Sequence, residues 1–225
     1  MSQWWTYSLS DFLMFSARTY FRLLELYNRA VWPAHLAAAA AGIAIVVCAL
    51  RGGARAGRIA ALLLALCWLW VGWAFHAQRY ATINSAAPYF AGGFAVQGLL
   101  LLWTGAVRRH ELLGGASGRA RLGGVLLLLA VLGYPLLAPA TGRPWLQAEL
   151  FGIAPDPTAA ATLGFLLLSR RAGWPCWIVP LLWCAISGAT LWTMHAPAAW
   201  VLPLIALLAL LALLVASPRT DRQAA

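Results

Sequence analysis

The chain has 225 residues, of which 63% are hydrophobic and only 10% are charged, and 13 are Trp. This composition excludes an ordinary soluble domain, and the long apolar stretches predict transmembrane helices. A formal net charge of +10 would suggest nucleic-acid binding in a soluble protein, but here the arginines lie in short loops between apolar spans, so membrane topology explains them and no nucleic acid is expected.

The first predicted element is an amphipathic helix over residues 8–31. Ser10 and Asp11 would cap its start, apolar residues recur on one side, and arginines and Glu25 share the other. The helix carries too many charges to cross a bilayer, so we expect it to lie in the membrane interface. It makes up the first predicted region, 1–32.

Seven apolar spans follow, which predicts an all-α fold: a polytopic transmembrane helix bundle in region 33–216, followed by a cytoplasmic tail, 217–225. The predicted spans are 33–50, 59–75, 86–107, 122–139, 157–168, 174–194 and 198–216. Tryptophans near the predicted boundaries are typical of an aromatic belt at the membrane surface. They are Trp32, Trp73, Trp145, Trp174 and Trp200.

The arginines are distributed unevenly between the two sets of loops. Eleven fall in 51–58, 108–121, 169–173 and the C-terminal tail, and five fall in the opposite set, which includes the N-terminal helix. Loops rich in arginine remain in the cytoplasm. The sequence therefore predicts an N-terminus outside, a C-terminus inside and an odd number of spans.

The segment 144–158 interrupts the apolar pattern and contains two of the six acidic residues. Asp156 lies between two prolines, directly before span 157–168, which covers only about 18 Å of a hydrocarbon core about 30 Å thick. If 150–155 enters the membrane as a broken element, Asp156 lies below the outer interface and faces protein or water. Alternatively, Asp156 is only the N-cap of this helix, with Pro157 at its first position.

The polar residues expected near this outer side predict a pocket for a small solute or ion. Its predicted members are Asp156, Glu149, His76, Arg79 and Asn84. Glu149 and Asp156 could share a proton, which suits proton coupling or acid–base chemistry. Glu149 could instead be a solvated carboxylate that pairs with Arg143 or Arg79. Within the spans, Tyr134 and Ser187 are predicted to be contacts between helices.

Three histidines at predicted outer helix ends raise a metal hypothesis. Imidazoles of His35, His76 and His195, together with a carboxylate, could bind zinc, copper or non-haem iron. No two of them have the spacing of a known ligand motif. A metal ion is therefore possible, but no cofactor is predicted.

Several stretches of the chain resemble a bacterial integral-membrane family, domain-of-unknown-function family 6064. They are 7–15, 27–33, 75–76, 83–87 and, most distinctively, 149–158. The resemblance extends over nearly the whole chain and implies a small multi-helix protein of the bacterial inner membrane. It implies no activity, so no catalytic residue follows from it.

Three functions remain open at this level, and whether the protein is an enzyme stays undecided. The favoured one is a transporter or channel for a small solute or ion, because one side of the membrane collects polar residues beside a proline-broken span. The second is a membrane-embedded, metal-dependent enzyme. The third is a non-catalytic subunit of a membrane complex. Its partners would be the lipid bilayer and either a different subunit or a second copy of this chain.

Overall fold

A computed structural model describes residues 15–108, 111–112, 117–170 and 172–215. This part of the chain is predominantly helical and contains no strand beyond isolated bridges, which confirms the predicted all-α class. In chain order, the helices are α1 (Ala17–Ala30), α2 (Ala34–Arg51), α3 (Gly53–Trp70), α4 (Ala87–Trp103), α5 (Gly118–Leu128), α6 (Leu137–Ala140), α7 (Pro155–Leu168), α8 (Pro175–Thr193) and α9 (Val201–Val215).

Three of these helices continue as wider π-helical turns, which recur at functional sites in other proteins. The π segment Val71–Ala77 follows α3, Thr104–Arg108 follows α4, and Leu129–Gly133 follows α5. A short 3₁₀ turn, Tyr134–Leu136, then leads from the third π segment into α6.

Five helical segments are long and apolar enough to cross a membrane. They are Ala34–Arg51, Gly53–Thr82, Ala87–Val107, Gly118–Ala140 and Pro175–Thr193. The other two predicted spans correspond to α7, with 14 residues, and α9, described over 15 residues. Both are shorter than the roughly 20 residues that a crossing needs, so five crossings are supported and the count of seven is not confirmed. All five tryptophans predicted for the aromatic belt are exposed.

Helix α1 lies within the predicted range 8–31 but begins later than expected. Ser16 has extended backbone geometry and its side-chain oxygen accepts a hydrogen bond from the Thr19 backbone N–H, so Ser16 is the N-cap. A single helix from residue 8 is therefore wrong. The predicted cap, Ser10 with Asp11, lies outside the described residues, as does the predicted tail 217–225.

Helix α7 occupies the centre of the bundle, and every one of its fourteen residues is buried. It packs against α3, α5, α8 and α9. The approach to α5 depends on glycine: a Cβ atom on Gly164 would lie 2.7 Å from the Leu127 backbone N, and one on Gly123 would lie 2.7 Å from the Gly164 carbonyl oxygen. Small residues allow such close packing between helices in membranes.

At the C-terminal end of α7, three loops meet. Gly53 and Leu112 exchange backbone hydrogen bonds of 3.1 and 3.3 Å, and the Arg170 N–H donates to the Glu111 carbonyl oxygen at 2.8 Å. The Arg119 side chain donates to the carbonyl oxygens of α7's last turn, at 3.2 Å to Leu166 and 2.9 Å to Ser169. These loops belong to the arginine-rich set, so the described parts of 51–58, 108–121 and 169–173 meet at one end of the bundle.

The opposite end is organised by α1. Its Asn28 amide donates to the carbonyl oxygens of Leu146 and Ala148, both at 2.9 Å, and the Tyr27 hydroxyl donates to that of Ile153 at 3.2 Å. These bonds dock α1 onto the segment that leads into α7. Helix α1 therefore packs over the segment that precedes α7.

Candidate functional site

The turn before α7 sets the position of Asp156. Gly152 has a φ of +73° and lies so close to α2 and α3 that a Cβ atom there would be 3.0 Å from the Cys67 Sγ, so only glycine fits. The Thr158 hydroxyl closes the turn, because it accepts from the Gly152 N–H at 3.0 Å and donates to the Ala154 carbonyl oxygen at 2.7 Å.

Asp156 is not the cap of this helix. The N-cap is Ala154, and Pro155 occupies the first helical position, where a missing N–H is tolerated. Asp156 therefore lies inside the first turn, and its side chain is free to point into the bundle. The interpretation of Asp156 as a simple N-cap, followed by Pro157, is wrong.

The Asp156 carboxyl is completely buried and accepts three hydrogen bonds from other helices. The Trp183 Nε1–H donates to Oδ1 at 2.8 Å, and the Ser187 hydroxyl donates to Oδ2 at 2.7 Å. The Tyr134 hydroxyl also donates to Oδ2, at 3.3 Å. The site also lies at the N-terminus of α7, where the helix dipole favours negative charge.

Glu149 is the second buried carboxyl of the site. Its Oε1 lies 3.7 Å from an Arg143 guanidinium nitrogen, so of the two predicted arginine partners the structure selects Arg143. Its Oε2 has no hydrogen-bond partner among the described residues. Burial raises the pKa of Glu149, the nearby Asp156 raises it further, and Arg143 only partly opposes them. The two carboxyls therefore form one electrostatically coupled pair.

A narrow crevice lies beside Glu149. It is lined by Tyr134, Arg143, Glu149 and residues from α1 and the turn after α8, and its volume is about 10 Å³. That is near the smallest space that holds one water molecule. The predicted outward-facing pocket is thus nearly closed in this structure.

Of the five residues predicted to form the pocket, the structure brings three together. His76 is buried and its ring centroid lies 4.8 Å from that of Trp183, the residue that donates to Asp156. Arg79 is exposed and lines a separate surface groove beside α1. The Asn84 side chain accepts from the Ala86 N–H at 2.9 Å and shapes the turn before α4.

The three histidines proposed as metal ligands lie in different surroundings. His76 is enclosed by aromatic rings, His195 is exposed, and the His35 Nε2 lies 3.4 Å from the Asn28 amide oxygen. Within the described residues there is no group of three or more His, Cys, Asp or Glu side chains that could hold a metal ion. The geometry gives the metal hypothesis no support.

The three groups that donate to Asp156 were not recognised from the sequence as site residues. Tyr134 and Ser187 were predicted only as contacts between helices, and Trp183 was not singled out. Trp183 and Ser187 lie four residues apart on α8, so they share one helix face. That spacing of a Trp and a Ser in an apolar helix was the available signal.

Comparison with known proteins gives one match. The model of a family described as "Family of unknown function (DUF6064)" matches residues 17–224. No curated protein and no solved structure matches the chain.

Proposed function

Since the chain belongs to this family of unknown function, we propose a function from the site itself: a multi-pass protein of the bacterial inner membrane that couples proton binding at Glu149 and Asp156 to the movement of a small solute or ion. Its partners would then be the lipid bilayer and that solute or ion. The burial of the hydrogen-bonded Asp156 carboxyl within apolar helices carries the proposal.

Burying an acidic side chain among apolar helices costs free energy. Acidic residues inside membrane domains are rare and mark proton and ion pathways. Three donors from two other helical segments hydrogen-bond to Asp156, so the fold fixes the position of its carboxyl. Two neighbouring carboxyls disfavour double ionisation, and such a pair retains a proton. This is the property that proton coupling needs.

Glu149 supplies the connection to the surface. It lies between Asp156, with which it interacts electrostatically, and Arg143, which lines the crevice. A proton entering by this crevice would meet Glu149 first and Asp156 second. Because the crevice has room for about one water molecule, the proposal requires a second, open state in which a larger solute gains access.

The proposed orientation places this entrance outside the cell. The arginine-rich loops gather at the other end of α7, where Gly53, Leu112 and Arg170 make their backbone contacts. Loops of this kind remain in the cytoplasm, which supports an external N-terminus and a cytoplasmic C-terminus. Proton entry would then follow the usual inward proton gradient of bacteria.

The test is proton movement into proteoliposomes that contain a pH-sensitive dye. Gradients of Na⁺, K⁺ and a panel of small neutral and anionic solutes are imposed in turn. We expect at least one gradient to drive protons across the membrane with wild-type protein, and we expect Asp156→Asn to reduce that rate about a hundredfold or more, because acid–base groups contribute on this scale.

The matched control is Glu25→Gln, which removes a carboxylate from the surface groove beside α1 and leaves the buried pair intact. It should retain wild-type proton movement. Proton movement that survives in Asp156→Asn, or that no gradient elicits from the wild type, would overturn the transport proposal.

A further inference from the structure

His76 is a buried polar side chain that the proposed function leaves unused. It lies in the π segment Val71–Ala77, and its ring is completely buried. Neither Nδ1 nor Nε2 has a hydrogen-bond partner among the described residues. Buried polar groups are nearly always paired, so an imidazole with two unpaired nitrogens calls for a physical explanation.

Aromatic rings surround His76. Five aromatic rings have centroids within 6 Å of the imidazole centroid: Phe94 at 4.4 Å, Trp183 at 4.8 Å, Phe75 at 5.2 Å, and Tyr80 and Phe90 at 5.9 Å. Aromatic rings attract cations at such distances through their electron-rich faces. A protonated imidazole gains this attraction and a neutral one does not.

Trp183 connects this cage to the carboxyl pair. Its Nε1–H donates to Asp156 at 2.8 Å, while its ring meets the His76 ring edge to face, at an interplanar angle of 74°. One indole therefore separates the imidazole from the buried carboxylate. A positive charge on His76 would find its counter-charge on the other side of that ring.

The remaining neighbours leave Asp156 as the natural counter-charge. Among the described groups, the other titratable side chain in the cage is Tyr80, which itself interacts electrostatically with Asp156. Helix α4 contributes the uncharged rings Phe90 and Phe94, and the segment of His76 contributes Phe75. A positive charge on His76 would thus be balanced by the Asp156 carboxylate, which accepts the hydrogen bond from Trp183.

We propose that His76 is a second proton-binding group of this site, with Asp156 as its counter-charge and Trp183 as the gate between them. When the indole leaves Asp156, the proton passes directly: an N–H bond of the imidazolium breaks and an O–H bond forms on the carboxylate, leaving a neutral imidazole and a neutral acid. The proposal rests on the proposed function in that Asp156 takes up a proton, but it can be measured without transport.

The experiment is an NMR titration of the full chain in lipid nanodiscs. The indole N–H resonance of Trp183 is assigned by its loss in Trp183→Phe, and the ring nitrogens of the four histidines are labelled selectively. We expect the Trp183 resonance to shift in two pH-dependent steps. His76→Phe, which keeps a ring in the cage, should abolish one step, and Asp156→Asn should abolish the other.

The exposed histidine His195 provides the matched control, and His195→Gln should leave both steps unchanged. A Trp183 titration that is the same in wild type and His76→Phe would overturn the proposal. If His76→Phe does not fold, the labelled histidines of the wild type decide instead: a His76 ring that remains neutral throughout the range in which Trp183 titrates also overturns it.

A transport measurement separates this proposal from the previous one. If wild-type protein moves protons, His76→Phe should slow that movement severalfold and His195→Gln should not. If the wild type moves none, the transport function fails, yet the coupled titration of His76 and Trp183 still stands or falls by the NMR result alone.

Discussion

The two apolar helices α7 and α9 are described over nearly the same number of residues, but they differ in how much of each is buried. All fourteen residues of α7 are buried, whereas α9 buries only Leu202, Ile205 and Ala209. The first ten residues of α7 include three alanines, two threonines and a glycine, and α9 is mostly Leu. Small side chains let neighbouring backbones approach from every direction, and large ones face outwards. The small residues near the start of α7 therefore help to explain why this helix, and not α9, lies at the centre of the bundle.

The same contrast extends to polar groups. The centre, α7 with the preceding turn, holds Glu149 and Asp156 among buried donors. At the periphery, Glu25 of α1 lines a surface groove and pairs with the exposed side chains of Arg22 at 2.6 Å and Arg29 at 3.0 Å. Solvent reaches these arginines and weakens the pairs, so among the described carboxyls Glu149 and Asp156 best combine burial with the cost that marks a functional site.

The largest expected effect comes from enlarging the glycine at the centre. In Gly164→Leu, the first added atom already meets the backbone of α5 within 3 Å, so α5 and α7 cannot keep their spacing. We expect no folded protein by size-exclusion chromatography in mild detergent, because over-packing against backbone costs at least about 3 kcal/mol.

A neighbouring glycine gives the matched control for this variant. A Cβ atom on Gly124 of α5 would meet nothing within 4 Å, so Gly124→Leu should elute as the wild type does. If Gly164→Leu also folds normally, the close approach of α5 and α7 does not define the centre of the bundle.

The next effect compares one leucine from each helix. Leu163 of α7 is completely buried and Leu211 of α9 is 49% exposed. Leu163→Ala leaves a cavity and should lower the free energy of unfolding by about 3 kcal/mol, whereas Leu211→Ala should change it by less than about 0.5 kcal/mol. Thermal unfolding in detergent measures both, and equal losses would mean that α9 is as central as α7.

The sequence was sufficient to predict the helices, because each apolar stretch ends at arginines, glycines or prolines. It also indicated that α7 is unusual, since a span of that length bounded by Asp156 and two prolines cannot cross a bilayer alone. The start of α1 was misplaced because Ser10 and Ser16 are both good caps in the sequence, and no local rule separates them.

The partners of Asp156 were not predictable in the same way. Tyr134 precedes it by 22 residues, and Trp183 and Ser187 follow it by 27 and 31. Each lies in an apolar helix where a single polar residue is ordinary, and only the packing of three helical segments brings them together. Of the five residues predicted for the pocket, Asp156, Glu149 and His76 therefore lie near one another. Arg79 and Asn84 lie apart from them, in the loop before α4 where the sequence placed both.

The smallest effect is a pH dependence that distinguishes the central from the peripheral carboxyl. Because burial raises the pKa of Glu149, the folded protein holds a proton that the unfolded chain has released, and stability falls as the pH rises above about 4.3, the ordinary glutamate value. Glu149→Gln should flatten this decline. The hydrogen bond from Arg22 lowers the pKa of Glu25, so Glu25→Gln should affect only the acidic side, where wild-type stability is lost as the pH falls. Melting temperatures across a pH series test both signs, and a decline above the ordinary glutamate range that persists in Glu149→Gln would assign it to another group.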